Sequence, residues 1–257
     1  MKQPKRIILT GASSGIGRAL AVEYGRRGDS LLLVARREDR LREVAAEVER
    51  AGGRAVVLLA DVADEDSAER ALAVADESLG GVDIIIMNAG LGFPSFAHQF
   101  DAKETERVMA VNYYSIVRMI AAALPRMLAE KRGHLVAVSS LAAYRGMPGS
   151  GAYNASKAAV TVLMESLRTE LRGSGVTITT VAPGFVRSEM TAQNEFKMPF
   201  LMDADVAAAR IARALDRKTS EYRFPLPTSI MVRISQLLPN WLYDRILGSA
   251  RPDPTGG

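Results

Sequence analysis

Six short apolar runs punctuate the chain, at residues 7–9, 31–34, 55–59, 84–87, 135–138 and 177–181. Longer stretches with helical spacing lie between them. In residues 40–51, for instance, Leu41, Val44, Ala45 and Val48 recur at helical intervals with charged residues opposite. The short runs do not alternate polar with apolar, so they suit strands covered on both faces. Strands of that kind alternating with helices predict a parallel sheet joined by right-handed crossovers. No linker rich in Pro, Gly or Ser interrupts the pattern before about residue 183, which argues for one domain over residues 1–224. Pro183-Gly184 ends a strand, residues 203–215 read as a helix, and residues 221–224 as a last strand. Residues 225–250 form an apolar helical extension that Pro239 divides in two, and residues 251–257 are expected to be a disordered tail.

Composition narrows the chemistry. With 257 residues, 48% hydrophobic and 24% charged, the chain has the make-up of an ordinary globular protein. It has no cysteine and only two histidines, His98 and His134, which excludes disulfides and leaves little for a Cys/His metal site. The net charge is +4 and the pI about 9.4, but the arginines are interspersed with acids, as in Arg36-Arg37-Glu38-Asp39-Arg40. A solvated charged face, not nucleic-acid binding, is the expectation. Residues 1–6 run directly into the first apolar segment, too short for a signal peptide core, so a cytoplasmic location is expected.

Two regions carry chemistry. After the first strand comes Thr10-Gly11-Ala12-Ser13-Ser14-Gly15-Ile16-Gly17, then a helical stretch over residues 18–27. Glycines there permit a tight turn and close approach of a pyrophosphate to free N–H groups at a helix N-terminus. The spacing is Gly-x-x-x-Gly-x-Gly, unlike the common Gly-x-Gly-x-x-Gly fingerprint. The second strand ends in Val34-Ala35-Arg36-Arg37, where an NAD-preferring fold would place an acid for the ribose 2′-hydroxyl. Two guanidiniums suited to a 2′-phosphate stand there instead, so NADP(H) is the expected cofactor. Tyr153 and Lys157 lie four residues apart at the start of a helical stretch, which sets a phenol and an ammonium on one face. An ammonium and a helix N-terminus favour phenolate and draw the tyrosine toward the working range of an acid/base. Ser140 stands at the carboxyl end of the strand 135–138, the sheet edge where open α/β proteins bind ligands, and can donate to a developing oxyanion.

Together these residues resemble the classical short-chain dehydrogenase/reductase family from about residue 6 to about 215. The glycine motif falls on Thr10 through Gly17, the adenine-ring aspartate on Asp61 of Ala60-Asp61-Val62, and the Asn-Asn-Ala-Gly motif on Met87-Asn88-Ala89-Gly90. The helix asparagine falls on Asn112, the serine on Ser140, the tyrosine and lysine on Tyr153 and Lys157, and the Pro-Gly segment on Pro183-Gly184-Phe185-Val186-Arg187-Ser188. The resemblance implies a single Rossmann-type α/β domain, a doubly wound parallel sheet of about seven strands in the order 3-2-1-4-5-6-7, with a C-terminal helical extension. It implies catalysis by Asn112, Ser140, Tyr153 and Lys157. Cofactor contacts would come from Gly11, Ser13, Ser14, Gly15, Ile16, Gly17, Arg36, Arg37, Asp61, Val62, Asn88, Ala89, Gly90, Tyr153, Lys157, Pro183, Gly184, Val186 and Ser188. Lys157 would hold the nicotinamide ribose and Asn112 a water linking Lys157 to solvent. Two positions depart from the family pattern: Met87 replaces its first Asn, and Ser188 its usual Thr.

Residues 188–202 would form a substrate lid. Met190, Phe196, Met198, Pro199, Phe200, Leu201 and Met202 make it apolar, which favours a lipid-, steroid- or aromatic-like ketone over a sugar. The extension, with the only tryptophan, Trp241, fits a dimer contact, a pocket cover or, less well, a membrane-surface contact. A homodimer or homotetramer is expected. The alternative function is a catalytically silent NADP(H)-binding sensor or scaffold; an epimerase or dehydratase is disfavoured because such relatives carry a larger substrate domain.

Overall fold

The computed structural model describes residues 3–193 and 198–248. Phe196 of the expected lid, the last two residues of the extension and the tail 251–257 lie outside the described residues. Strands β1 (Arg6–Thr10), β2 (Ser30–Ala35), β3 (Arg54–Leu59), β4 (Ile84–Met87), β5 (Gly133–Val138), β6 (Val176–Pro183) and β7 (Glu221–Phe224) form one seven-stranded sheet. Every neighbouring pair is parallel, and the spatial order is β3-β2-β1-β4-β5-β6-β7. This is the order expected above. Each apolar run seen in the sequence lies within its strand, and every strand but β4 continues past its run by one or two residues.

Nine α-helices among the described residues complete the fold: α1 (Gly15–Gly25), α2 (Glu38–Arg50), α3 (Ser67–Leu79), α4 (Ala102–Met109), α5 (Ser115–Ala129), α6 (Gly151–Glu170), α7 (Ala204–Asp216), α8 (Leu226–Leu237) and α9 (Asn240–Gly248). They cover both faces of the sheet, which explains the unbroken hydrophobicity of the strands. In β1, Ile7 and Leu9 point into one layer with Leu20, Tyr24, Leu41, Val48 and Ile211. Ile8 points into the other with Ala71, Ile116, Met119, Val160 and Met164. All three β1 residues are 0% exposed, so neither face of the strand is free for solvent. The run Ala102–Ala129 is long and apolar enough to cross a membrane by length and composition. Here it packs on the sheet instead, with Ile116, Met119, Ile120, Ala123 and Met127 buried.

Strand order reverses between β1 and β4. The chain leaves β1 toward β2 and β3 on one side and returns to β4 on the other, so the loops after β1 and β4 diverge and open a crevice at the carboxyl edge. The glycine turn and the Asn88-Ala89-Gly90 segment face each other across it.

Candidate active site

The crevice floor is built by reciprocal bonds between its two loops. Thr10 Oγ1 accepts from the backbone amides of Asn88 and Ala89, both at 3.0 Å. Asn88 Nδ2 donates to the carbonyls of Thr10 and Gly11 at 3.1 and 3.2 Å. Gly11 and Gly15 sit at φ +66° and +53°, left-handed backbone that glycine adopts without penalty. A side chain at Gly11 would meet the Ala89 backbone at 2.7 Å, and one at Gly17 would run into the Gly11 carbonyl. Ser14 makes no side-chain cap on α1, so among the described residues no side chain competes for the first-turn N–H groups. A dinucleotide pyrophosphate fits this cradle, since bare backbone, free donors and the positive end of α1 coincide. Met87, the departure from the family motif, is 2% exposed and belongs to the core; its neighbour Asn88 ties the loops together.

At the end of β2, the two arginines engage different partners. Arg36 Nη1 lies 3.2 Å from Asp61 Oδ2, while Asp61 Oδ1 accepts from the Ala63 amide at 3.0 Å and so fixes the turn that carries Val62. Arg37 donates to Ser13 Oγ at 3.2 Å and to Glu189 at 2.7 Å. Ser188, just before Glu189, backs the glycine turn: a Cβ on Gly15 would lie 3.0 Å from its Cβ. The Ser188 amide donates to Thr191 Oγ1 at 2.9 Å.

At the opposite end of the crevice, β5, α6 and the turn between α4 and α5 bring the four chemistry-bearing residues into one neighbourhood. Ser140 caps the short turn Leu141–Ala143 by accepting from the Ala142 amide at 3.1 Å, and its hydroxyl stands near enough to Tyr153 to draw the phenol's pKa down. Lys157 is 3% exposed; its Nζ donates to the Val138 carbonyl at 2.8 Å and lies 5.8 Å from the centre of the Tyr153 ring. A Cβ on Gly90 would stand 3.3 Å from both Lys157 Nζ and Asn112 Oδ1, and one on Gly92 would strike the Tyr153 ring. The bare backbone of Gly90 and Gly92 is therefore what admits these side chains. Asn112 lies in a single π-turn, Ala110–Tyr114, between α4 and α5, a local distortion often found at functional sites. Its amide braces the loop after β4: Oδ1 accepts from the Leu91 amide at 2.8 Å, and Nδ2 donates to the Leu91 carbonyl at 2.8 Å and to Ser156 Oγ at 2.9 Å.

The electrostatics differ from the sequence expectation. Burial holds the Lys157 ammonium at a pKa of about 8, well below its ordinary value. Burial also raises the Tyr153 hydroxyl, with only the Ser140 hydrogen bond pulling it down. The ammonium spends its contact on the Val138 carbonyl instead of the phenol, so loss of solvation outweighs the attraction that the four-residue spacing suggested.

Around this centre, β6 delivers Pro183 and Gly184 to the sheet edge, where the Gly184 amide donates to the Phe224 carbonyl at 2.7 Å. Val186 is buried and forms an isolated parallel bridge with Met202, which pins both ends of the 188–202 segment. Within that segment Met190 and Phe200 are exposed, while Met202 packs against the core. Arg145, in the loop joining Ser140 to Tyr153, reaches the C-terminal extension. It donates to the Leu238 carbonyl at 3.3 Å and to Asn240 Oδ1 at 3.1 Å, and stacks over the Tyr243 ring at 4.2 Å.

The family profile for short chain dehydrogenases matches residues 5–198. The chain belongs to that family. An uncharacterised oxidoreductase from Myxococcus xanthus is 39% identical to this dehydrogenase over 237 residues, 92% of this chain and 94% of that protein. The 11-beta-hydroxysteroid dehydrogenase 1A of Arabidopsis thaliana is 41% identical over 194 residues, 75% of this chain and 55% of that protein. Among solved structures, a short chain dehydrogenase/reductase from Burkholderia phymatum in complex with NAD is 25% identical, with a TM-score of 0.84 over 98% of each chain. A short-chain dehydrogenase from Sphingobium yanoikuyae in complex with NADPH is 28% identical, with a TM-score of 0.80 over 99% of each. The protein is thus an oxidoreductase of a family in which at least these two solved members hold a nicotinamide dinucleotide.

Several residues of this dehydrogenase's site were not singled out from sequence. Leu91, Gly92 and Ser156 hold the loop after β4 or clear room for Tyr153, and Glu189 reaches Arg37. Ser156 and Leu91 sit beside recognised motifs, so position gave a signal. Nothing local marks Glu189 or Arg145, whose partners are far away in the chain.

Proposed function

We propose that this short-chain dehydrogenase is an NADP(H)-dependent reductase that moves a hydride onto the carbonyl carbon of an apolar ketone, lipid-, steroid- or aromatic-like, with Tyr153 as the acid. In the reverse direction it oxidises the secondary alcohol with Tyr153 as base. The observation that carries this reading is the convergence of Ser140, Tyr153 and the buried Lys157 at the crevice, with the Lys157 ammonium 5.8 Å from the centre of the Tyr153 ring and held by the Val138 carbonyl. A bound nicotinamide dinucleotide supplies the hydride. The high pKa of Tyr153 keeps its hydroxyl protonated at neutral pH, ready to be given to a carbonyl oxygen as negative charge develops there. Ser140 orients that oxygen and donates to it. Lys157, charged below about pH 8, is placed to hold ribose hydroxyls and to stabilise phenolate after proton transfer. Asn112 acts through the loop it braces and by holding a water within reach of Lys157.

Preference for NADP(H) is supported by Arg36 and Arg37 at the end of β2 and by the absence of an acid there. Preference for an apolar substrate is supported by the composition of the 188–202 segment and by the kinship with a hydroxysteroid dehydrogenase. Both are tested by following NADPH absorbance with a panel of apolar ketones and comparing Arg36→Ala. Turnover of at least one ketone, with NADPH binding weakened about tenfold or more relative to NADH in the variant, is the expected result. No turnover of any ketone leaves the sensor alternative standing, and equal losses for the two cofactors remove Arg36 from the 2′-phosphate.

A further inference from the structure

Arg37 joins three parts of the crevice. Nη2 takes hold of Ser13 in the glycine turn at 3.2 Å, and Nη1 of Glu189 at 2.7 Å, immediately beyond the serine that leans on Gly15. Arg36, its neighbour, rests on Asp61 at 3.2 Å. Both guanidiniums at the end of β2 are therefore held by carboxylates, but the two acids are not equivalent. Asp61 also fixes its own turn through the Ala63 amide. Glu189 comes from the other side of the crevice, and its contact with Arg37 ties the 188–202 segment to the end of β2.

We propose that Glu189 determines cofactor specificity by competing with a 2′-phosphate for Arg37. The inference rests on the NADP(H) reading above and adds a residue to it. A phosphate monoester carries between one and two negative charges near neutral pH and bonds a guanidinium through two oxygens. The Arg37–Glu189 pair is solvent-exposed, with side chains 45% and 56% exposed, and pairs of that kind are weak. A 2′-phosphate beside Ser13 would take Arg37 and repel Glu189. A cofactor without that phosphate leaves the pair intact. The competition lowers NADPH affinity below what Arg37 alone would give.

The test is equilibrium binding of NADPH and of NADH to the full chain in four forms: wild type, Glu189→Gln, Arg37→Ala and the double variant. Glu189 is exposed, so the Gln variant leaves the packing untouched. Glu189→Gln should tighten NADPH roughly threefold to tenfold and NADH less than about twofold. With Arg37 already replaced by Ala, it should change NADPH by less than about twofold, because the group competed for is gone. Wild type that prefers NADPH, with an unchanged cofactor ratio in Glu189→Gln, overturns the competition and leaves the NADP(H) reading in place. Equal tightening in both backgrounds also overturns it, since that is general repulsion. If neither wild type nor Glu189→Gln distinguishes the cofactors, both readings fall. A preference that appears only in Glu189→Gln upholds the competition and corrects the assigned wild-type preference.

Discussion

Lys157 holds a charge where little water supports it, and that sets its behaviour with pH. Below about pH 8 it is an ammonium bonded to Val138; above that it turns neutral and, on the proposed mechanism, would no longer hold ribose hydroxyls or stabilise phenolate. The kcat/KM for ketone reduction, which reports the free enzyme, should be flat toward neutral pH and fall above about pH 8. A profile without that limb would contradict the assignment. His134 offers a second titration, remote from the crevice. The Thr179 hydroxyl donates to the Thr219 carbonyl at 2.7 Å, so it accepts from His134 Nε2 at 2.8 Å, and burial lowers the imidazole pKa to about 4. The unfolded chain binds this proton near pH 6.5 and the folded chain does not, so the contribution is complete above 6.5 and is lost as pH falls toward 4. The loss should approach ~3 kcal/mol. Denaturant unfolding of wild type and His134→Gln across that window checks it: the variant should lack this part of the acid slope.

At the level of elements, the crevice depends on where helices begin and how loops are held. The sequence pattern placed the start of α1 at residue 18, whereas the helix begins at Gly15. Its first turn is the glycine motif itself, whose lack of apolar periodicity hid it. The break at Pro239 was legible, and α8 and α9 flank it as expected. The anchor of these helices was not. A cation over a tyrosine ring and two hydrogen bonds from Arg145 join positions nearly a hundred residues apart, and periodicity carries no trace of such a contact. Outward, α8 and α9 present Leu226, Ile230, Ile234, Leu237 and Trp241 to solvent. Replacing Arg145 by Ala should cost on the order of 1 kcal/mol and speed amide exchange in residues 238–248. Exchange unchanged in that stretch would show that the extension is held by other contacts.

For the whole molecule, one sheet with helices on both faces brings two distant parts of the chain together at the reversal between β1 and β4. The strands and their parallel pairing were readable because each run is largely apolar, whereas their order across the sheet was legible only through the family resemblance. The catalytic neighbourhood was readable as residue types, but not as electrostatics: spacing predicts attraction between Tyr153 and Lys157, whereas burial, which only the folded chain supplies, governs both groups. The proposed reaction depends on Tyr153 as the proton donor. The direct measurement is NADPH consumption with a ketone that wild type turns over, made on Tyr153→Phe alongside its NADPH dissociation constant. The phenylalanine ring keeps the packing against Gly92 and removes only the hydroxyl, so turnover should fall by a factor of ~10² to 10⁴ while NADPH affinity changes by less than about threefold. A variant that reduces the ketone at the wild-type rate would contradict the mechanism.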